Sequence, residues 1–212
     1  MHQKDKESGA GRYNHLVLLA QNYTGYQNLM KIVTHGYLEG FYYKPRVDKE
    51  ILKKYNEGII CLSGCLKGEL QETLIYAGYN QAKKVAEEFL KIFPGRYYIE
   101  LQNHGIPEEM RNIELSARLA QEMNIPLVAT NDAHYSRKEH FSAHDVHICI
   151  GTGKQLSEKN RLKYFGKEFY FKSQEAFFTS LYSSVIVATG FFLGAVIMSY
   201  AAKISLNFYY FA

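Results

Sequence analysis

Short apolar runs bounded by turn residues alternate along this chain with stretches whose apolar positions recur every three or four residues. Residues 15–20 (HLVLLA) read as a strand that ends in a turn, and residues 24–40 as a helix with Leu29, Ile32, Val33 and Tyr37 on one face. The segment GFYYKPRVDKEILKKY predicts a loop and a short helix. Residues 58–64 (GIICLSG) form a strand bounded by glycines, and residues 80–93 an amphipathic helix closed by Pro94 and Gly95. A further strand is predicted at residues 96–102 (RYYIELQ). It is followed by a helix over residues 107–123, with Pro107 suited to the first turn, and by an apolar strand over residues 126–130. The repeated strand-helix order predicts an α/β fold, a parallel sheet or barrel covered by helices.

The pattern breaks near the end. Residues 176–202 carry no charged side chain, a stretch long enough to cross a bilayer as a helix, which takes about 20 apolar residues. Gly190 and Gly194 within it have the spacing that lets transmembrane helices approach closely. Ser, Thr and Tyr dilute the run, so a buried core helix is the competing reading.

Length and charge narrow the class. The chain has 212 residues, enough for one ordinary domain with a real core, and a net charge of +4 from 25 basic and 21 acidic residues. That balance is not the basic stripe of a dedicated nucleic-acid binder, so any phosphate contact has to be argued locally. Three cysteines, Cys61, Cys65 and Cys149, form no tight pair motif and fit a reducing cytoplasm better than a disulfide framework. The first residues lack the apolar core of a secretory signal.

The candidate chemistry starts where the last apolar strand stops, at Thr130-Asn131-Asp132-Ala133-His134. Side chains two apart in an extended segment converge, so Asp132 and His134 can share one metal ion, and strand C-termini are where barrel folds collect catalytic groups. A turn aspartate beside a surface histidine is the plainer reading of this spacing alone. Further candidate ligands are His15 at the opening of the first strand, Cys65 after GIICLSG and His104 after RYYIELQ. Imidazole, thiolate and carboxylate together suit zinc or a similar borderline metal that activates water for attack on phosphorus. Taken singly, Cys65 reads as a small buried residue and His104, in Asn103-His104-Gly105, as a turn residue. Lys44, Arg46 and Lys67 can meet a DNA backbone or form a solvated basic face. Gly151-Thr152-Gly153-Lys154 lacks the full phosphate-loop pattern and reads as a plain loop, and His144 and Asp145 as structural braces.

Six blocks carry a family likeness: GRYNHLVLLAQNYTGYQNLMKIV, YLEGFYYKPRVDKEIL, EGIICLSGCLKGEL, YYIELQNHGIPEE, IPLVATNDAHY and AHDVHICIGTGK. In this order and spacing the chain resembles the polymerase-and-histidinol-phosphatase (PHP) domain of the alpha subunits of bacterial DNA polymerase III, from about Lys4 to about Glu175. The resemblance implies a distorted (β/α)7 barrel with a metal site, zinc or manganese, at the C-terminal face of its strands. The matching ligands are His15, Cys65, Asp132 and His134, with His104 a family-like residue near the site. The chemistry implied is metal-assisted phosphodiester or phosphate hydrolysis, including 3′ to 5′ exonuclease proofreading, with Asp132 and His134 as the catalytic pair. Retention of His15, Cys65, Asp132 and His134 points to a metal-binding lineage.

Two departures qualify this picture. No H-x-H strand precedes His15, so the expectation is a partial barrel lacking its first strands and about half of its metal ligands. After residue 175 the family's charged helix and polymerase domain are replaced by the apolar tail, which divides the chain into a partial PHP domain at 1–175 and a helical tail at 176–212. That tail reads as a transmembrane helix or as frameshifted or chimeric sequence. The expected whole is a fragment of a cytoplasmic DNA-directed DNA polymerase, a nucleotidyltransferase of DNA replication. Its partners are DNA, the proofreading exonuclease subunit and other replicase subunits, with magnesium in a polymerase domain beyond this chain. The fragment alone is expected to be inactive, poorly soluble and weak in metal affinity. Two alternatives are a catalytically silent scaffold for the proofreading subunit and a small membrane-anchored metal-binding protein.

Overall fold

A computed structural model of the chain describes residues 13–177, 179–180 and 208–210. Its elements in order are β1 (Asn14–Ala20), α1 (Tyr23–Leu38), β2 (Arg46–Val47), α2 (Lys49–Lys54), β3 (Ile59–Leu62), α3 (Glu69–Tyr76), α4 (Tyr79–Ile92), β4 (Tyr97–Leu101), α5 (Pro107–Met123), β5 (Leu127–Ala129), α6 (Phe141–Thr152) and β6 (Phe208–Tyr210). They form a mixed α/β structure whose sheet runs β2-β6-β1-β3-β4-β5.

The sheet is not wholly parallel. β3 to β4 and β4 to β5 are parallel, as the strand-helix alternation predicts, with Leu62 opposite Tyr98 and Leu101 opposite Ala129. β1 instead runs antiparallel to β3, pairing Val17 with Leu62 and Ala20 with Ile59. An apolar strand reads the same in both directions, so the hydrophobic pattern carried no information on this point. The reversal brings the start of β1 to the edge where β3, β4 and β5 end. Residues 208–210 add a strand between β1 and β2, antiparallel to β1, where the sequence pattern predicts a helical tail. Most of the apolar run, including its Gly190–Gly194 spacing, lies outside the described residues, among which no helix is long and apolar enough to cross a membrane.

Strand alternation divides the buried residues between the two sheet faces. Leu16, Leu18, Ile59, Cys61, Tyr97, Ile99, Leu101 and Leu127 belong to the large core, together with Leu29 and Ile32 of α1, Leu52 of α2, Leu70 and Leu74 of α3, Phe89 of α4 and Leu119 of α5. Val17, Leu62 and Val128 form a separate cluster with Leu19, Ile60 and Tyr98. Tyr37, predicted on the buried face of α1, is 58% exposed and stacks on Phe41, while its neighbour Gly36 is the residue of the last turn that packs against Arg46 and Val47 of β2. Two helices went unpredicted. α3 begins straight after a loop and is short, and α6 has no clear apolar face, so neither offers the helical period. The Gly151-Thr152-Gly153-Lys154 segment is the end of α6, with Gly153 as its left-handed cap at φ 64°.

α1 is fixed at its start by two local devices. The Asn22 side chain accepts the Gly25 N–H at 2.9 Å. Gly25 itself lies so close to Gly58 that a Cβ there would stand 1.8 Å from the Gly58 carbonyl oxygen. This contact sets α1 against the turn that enters β3.

Candidate functional site

The candidate residues sit at one edge of the sheet. The loop after β3 and the first turn of α3 are bound to the start of β1: the His15 N–H donates to the Lys67 carbonyl at 2.8 Å, and Asn14 Nδ2 donates to the Glu72 carboxylate at 3.0 Å. This brings His15 Nδ1 to 3.2 Å from Cys65 Sγ. Burial pushes the Cys65 thiol up from its usual range, and the charges of Glu100 and Asp132 add to the effect, against a backbone hydrogen bond at Lys67. This setting favours the protonated thiol, so binding an ion at the sulfur releases a proton.

The second pair follows β5. His134 Nε2 lies 3.1 Å from Asp132 Oδ2, the convergence the two-residue spacing predicts. With Nε2–H donated to the carboxylate, Nδ1 accepts from the Tyr164 hydroxyl at 3.2 Å. Burial, and then the charge of Asp132, raise the Tyr164 phenol. Phe169 packs on both sides of this group: it stacks on His104 with centroids 4.4 Å apart and meets His134 edge-on at 5.8 Å. Tyr164 and His144 complete the aromatic wall.

His104 is not the open ligand or exposed turn residue that its sequence setting predicts. It is 2% exposed. Its Nδ1–H points at Glu109 Oε1, 2.9 Å away, its backbone N–H donates to Glu109 Oε2 at 2.6 Å, and its Nε2 accepts the Asp132 N–H at 3.2 Å. Both ring nitrogens are engaged, so no lone pair remains for an ion, and the ring instead holds the Asp132 backbone in place.

The basic residues are dispersed. Arg46 is 2% exposed and lies against the Tyr42 ring at 4.9 Å, which removes it from any solvated face. Lys44 is half-buried over Tyr13 at 5.3 Å, and Lys67 is exposed. Asp145 braces α6 through a two-pronged pair with Arg161 at 2.6 and 2.7 Å, and the guanidinium holds its carboxyl below the usual range.

In kind, the donors suit a zinc-type ion: imidazole from His15 and His134, thiolate from Cys65 and carboxylate from Asp132. In arrangement they stand as two pairs, and among the described residues no three His, Cys, Asp or Glu side chains are grouped closely enough to hold one ion. Sequence reasoning missed Glu100, Glu109 and Tyr164. A glutamate inside an apolar strand, in YYIELQ, was the one available signal among them.

The PHP domain family matches residues 2–104, a span that includes His15, Cys65 and Glu100 and stops short of Asp132. The chain is 44% identical over 173 residues, 82% of its length, to the DNA polymerase III subunit alpha of Borreliella burgdorferi. It is 47% identical over 165 residues, 77% of its length, to that of Treponema pallidum, and 42% identical over 165 residues, 78% of its length, to that of Thermus aquaticus. The matches cover 15%, 14% and 14% of those proteins, so the chain corresponds to a small segment of each. Residues 2–104 thus match the PHP domain family, and most of the chain is similar to a short segment of DNA polymerase III alpha subunits.

Proposed function

We propose that this chain is the PHP segment of a replicative DNA polymerase alpha subunit and that the edge of its sheet holds a divalent metal ion, zinc or manganese, for hydrolysis of phosphate esters in DNA. The observation that carries this reading is the meeting of His15 with Cys65 and of Asp132 with His134 at one sheet edge, in a chain 42–47% identical to three such subunits. In this reading the sheet is one wall of a distorted (β/α)7 barrel, and residues 1–175 are its domain. His15, Cys65, Asp132 and His134 are the residues that would hold the ion, which would supply an activated water and charge neutralisation at phosphorus. His104 holds the Asp132 backbone, Glu109 fixes the His104 tautomer, and Tyr164 orients the His134 ring. Lys67 is the exposed cation left to meet a DNA backbone. The nucleotidyltransferase reaction, its magnesium, and contacts with the proofreading subunit and other replicase subunits belong in this proposal to the much longer whole. Its setting is the cytoplasm.

A second reading, a silent scaffold for the proofreading subunit, is favoured by one observation: the donors stand in pairs and not in threes among the described residues. Metal analysis of the purified chain, with hydrolysis of single-stranded DNA in the presence of zinc or manganese, separates the two. Bound ion lost in Asp132→Asn and His15→Ala supports the metal site. A chain that takes up no ion, and whose Asp132→Asn variant keeps its partner binding, is the scaffold.

A further inference from the structure

α1 is apolar on two sides. Its inner side, with Leu29, Ile32 and Gly36, is buried. Its outer side carries Tyr23, Tyr26, Met30 and Tyr37, which are 72%, 52%, 45% and 58% exposed. At about 100° per residue these four fall within about 60° of one another around the helix, away from Ile32. Leu38 extends the row at the end of α1, and so does Phe41, stacked on Tyr37 with ring centroids 6.3 Å apart. A single exposed aromatic is ordinary, whereas a contiguous row marks an interaction surface.

The charged groups of α1 leave this row clear. Lys31 Nζ donates to Asn28 Oδ1 at 3.2 Å and lies over the Tyr55 ring at 5.6 Å, and His35 Nδ1 stands 3.1 Å from Glu39 Oε1. An apolar centre of Tyr, Phe and Met with a polar margin is the anatomy of a protein interface.

Area and spacing point to a second copy of the chain as the occupant. The six side chains present roughly 500–900 Å², taking about 150–250 Å² for a large side chain, which is near the ~800 Å² per partner of a stable interface. Tyr23 and Tyr37 each stand seven residues from Met30, two helical turns in either direction. A two-fold axis through Met30, perpendicular to the helix, therefore lays each Tyr23 on the Tyr37 of the other copy. The face is complementary to itself, as an isologous contact requires, and antiparallel order opposes the two helix dipoles.

We propose that the outer face of α1 is a self-association surface, on which two copies of the chain pair their helices antiparallel about Met30. The proposal needs no metal and is independent of the candidate ligands.

Sedimentation velocity of the 212-residue chain tests this at about 50 µM, above the micromolar limit for interfaces of this size, with circular dichroism as the check on folding. The parent is expected to sediment as a dimer. Met30→Glu sets two like charges against each other at the axis and should weaken the dimer at least about 100-fold with helix content unchanged. Tyr23→Lys combined with Tyr37→Lys should be monomeric for the same reason, and it replaces Met30→Glu as the test if that variant does not fold. Tyr23→Lys combined with Tyr37→Glu opposes unlike charges only in antiparallel order and should remain dimeric; dissociation as complete as in the double-lysine variant overturns the antiparallel pairing. A dimer or larger assembly that both Met30→Glu and the double-lysine variant leave intact overturns the surface. A monomeric parent overturns it too, and nitration then tells what takes the face instead: Tyr23 and Tyr37 resist the reagent if another segment of the same chain covers them, and react if the face is left for a larger partner.

Discussion

Replacing Glu109 with alanine tests the arrangement that holds the candidate site. The Glu109 carboxylate takes two donors from one residue, the His104 backbone N–H at 2.6 Å and its Nδ1–H at 2.9 Å, with side chains 6% and 1% exposed. Alanine leaves both donors buried without acceptors, at about 1–3 kcal/mol each. It also removes an acid from the first turn of α5, worth about 0.3–1 kcal/mol. The expected loss is therefore about 2–7 kcal/mol, a large part of the ~5–15 kcal/mol that holds a domain together. Glu109→Gln keeps one acceptor and turns an NH2 towards the other donor, so it should cost about half as much. Urea midpoints measure the loss. A second readout locates it: with the ring no longer held, Nε2 ceases to be a fixed acceptor for the Asp132 N–H, so that amide exchanges faster in Glu109→Gln and the 15N shifts of His104 show mixed tautomers. Parent-like midpoints for Glu109→Ala, or an unchanged His104 tautomer in Glu109→Gln, would refute the reasoning.

Three further outcomes are expected. Gly25→Ala puts a Cβ 1.8 Å from the Gly58 carbonyl oxygen, so α1 must shift and stability should fall by about 1–3 kcal/mol or more, read from thermal and urea unfolding. Tyr79 is raised to about 12 by burial and by its hydrogen bond to Glu122. Because the folded value lies above the unfolded value of about 10, this stabilising contribution is whole below pH ~10 and is lost as pH rises through 12. Glu122→Gln should move the Tyr79 ring-carbon titration back towards the ordinary value, and an unmoved titration contradicts the assignment. Tyr164→Phe removes the donor to His134 Nδ1 and should mix the His134 tautomers in 15N spectra while costing only about 1 kcal/mol of stability; a single retained tautomer would show that Asp132 alone sets the ring.

The sequence reveals the parts of this protein that depend on local chemistry. α5 runs from Pro107 to Met123 as its N-terminal proline and apolar spacing predict, and α4, β3 and β4 differ from expectation only at their ends. The Asp132–His134 contact matches the two-residue spacing, although the backbone turns there, with the Ala133 N–H on the Asn131 carbonyl at 3.0 Å. What was hidden depends on direction and on distant neighbours. His15 opens its strand, which by parallel logic puts it at the wrong edge. Only the antiparallel pairing of β1 with β3 brings it beside Cys65. His104 looks like a turn residue because its sequence neighbours are Asn and Gly. Its burial comes from Phe169, its tautomer from Glu109 and its task from the Asp132 backbone. Arg46 resembles a surface cation until the Tyr42 ring and the neighbouring strand enclose it. Glu100 is the instructive intermediate case. An acid flanked by Ile99 and Leu101 in a strand announces from sequence that something unusual is buried, while only the register with Val128 shows which face of the sheet it takes.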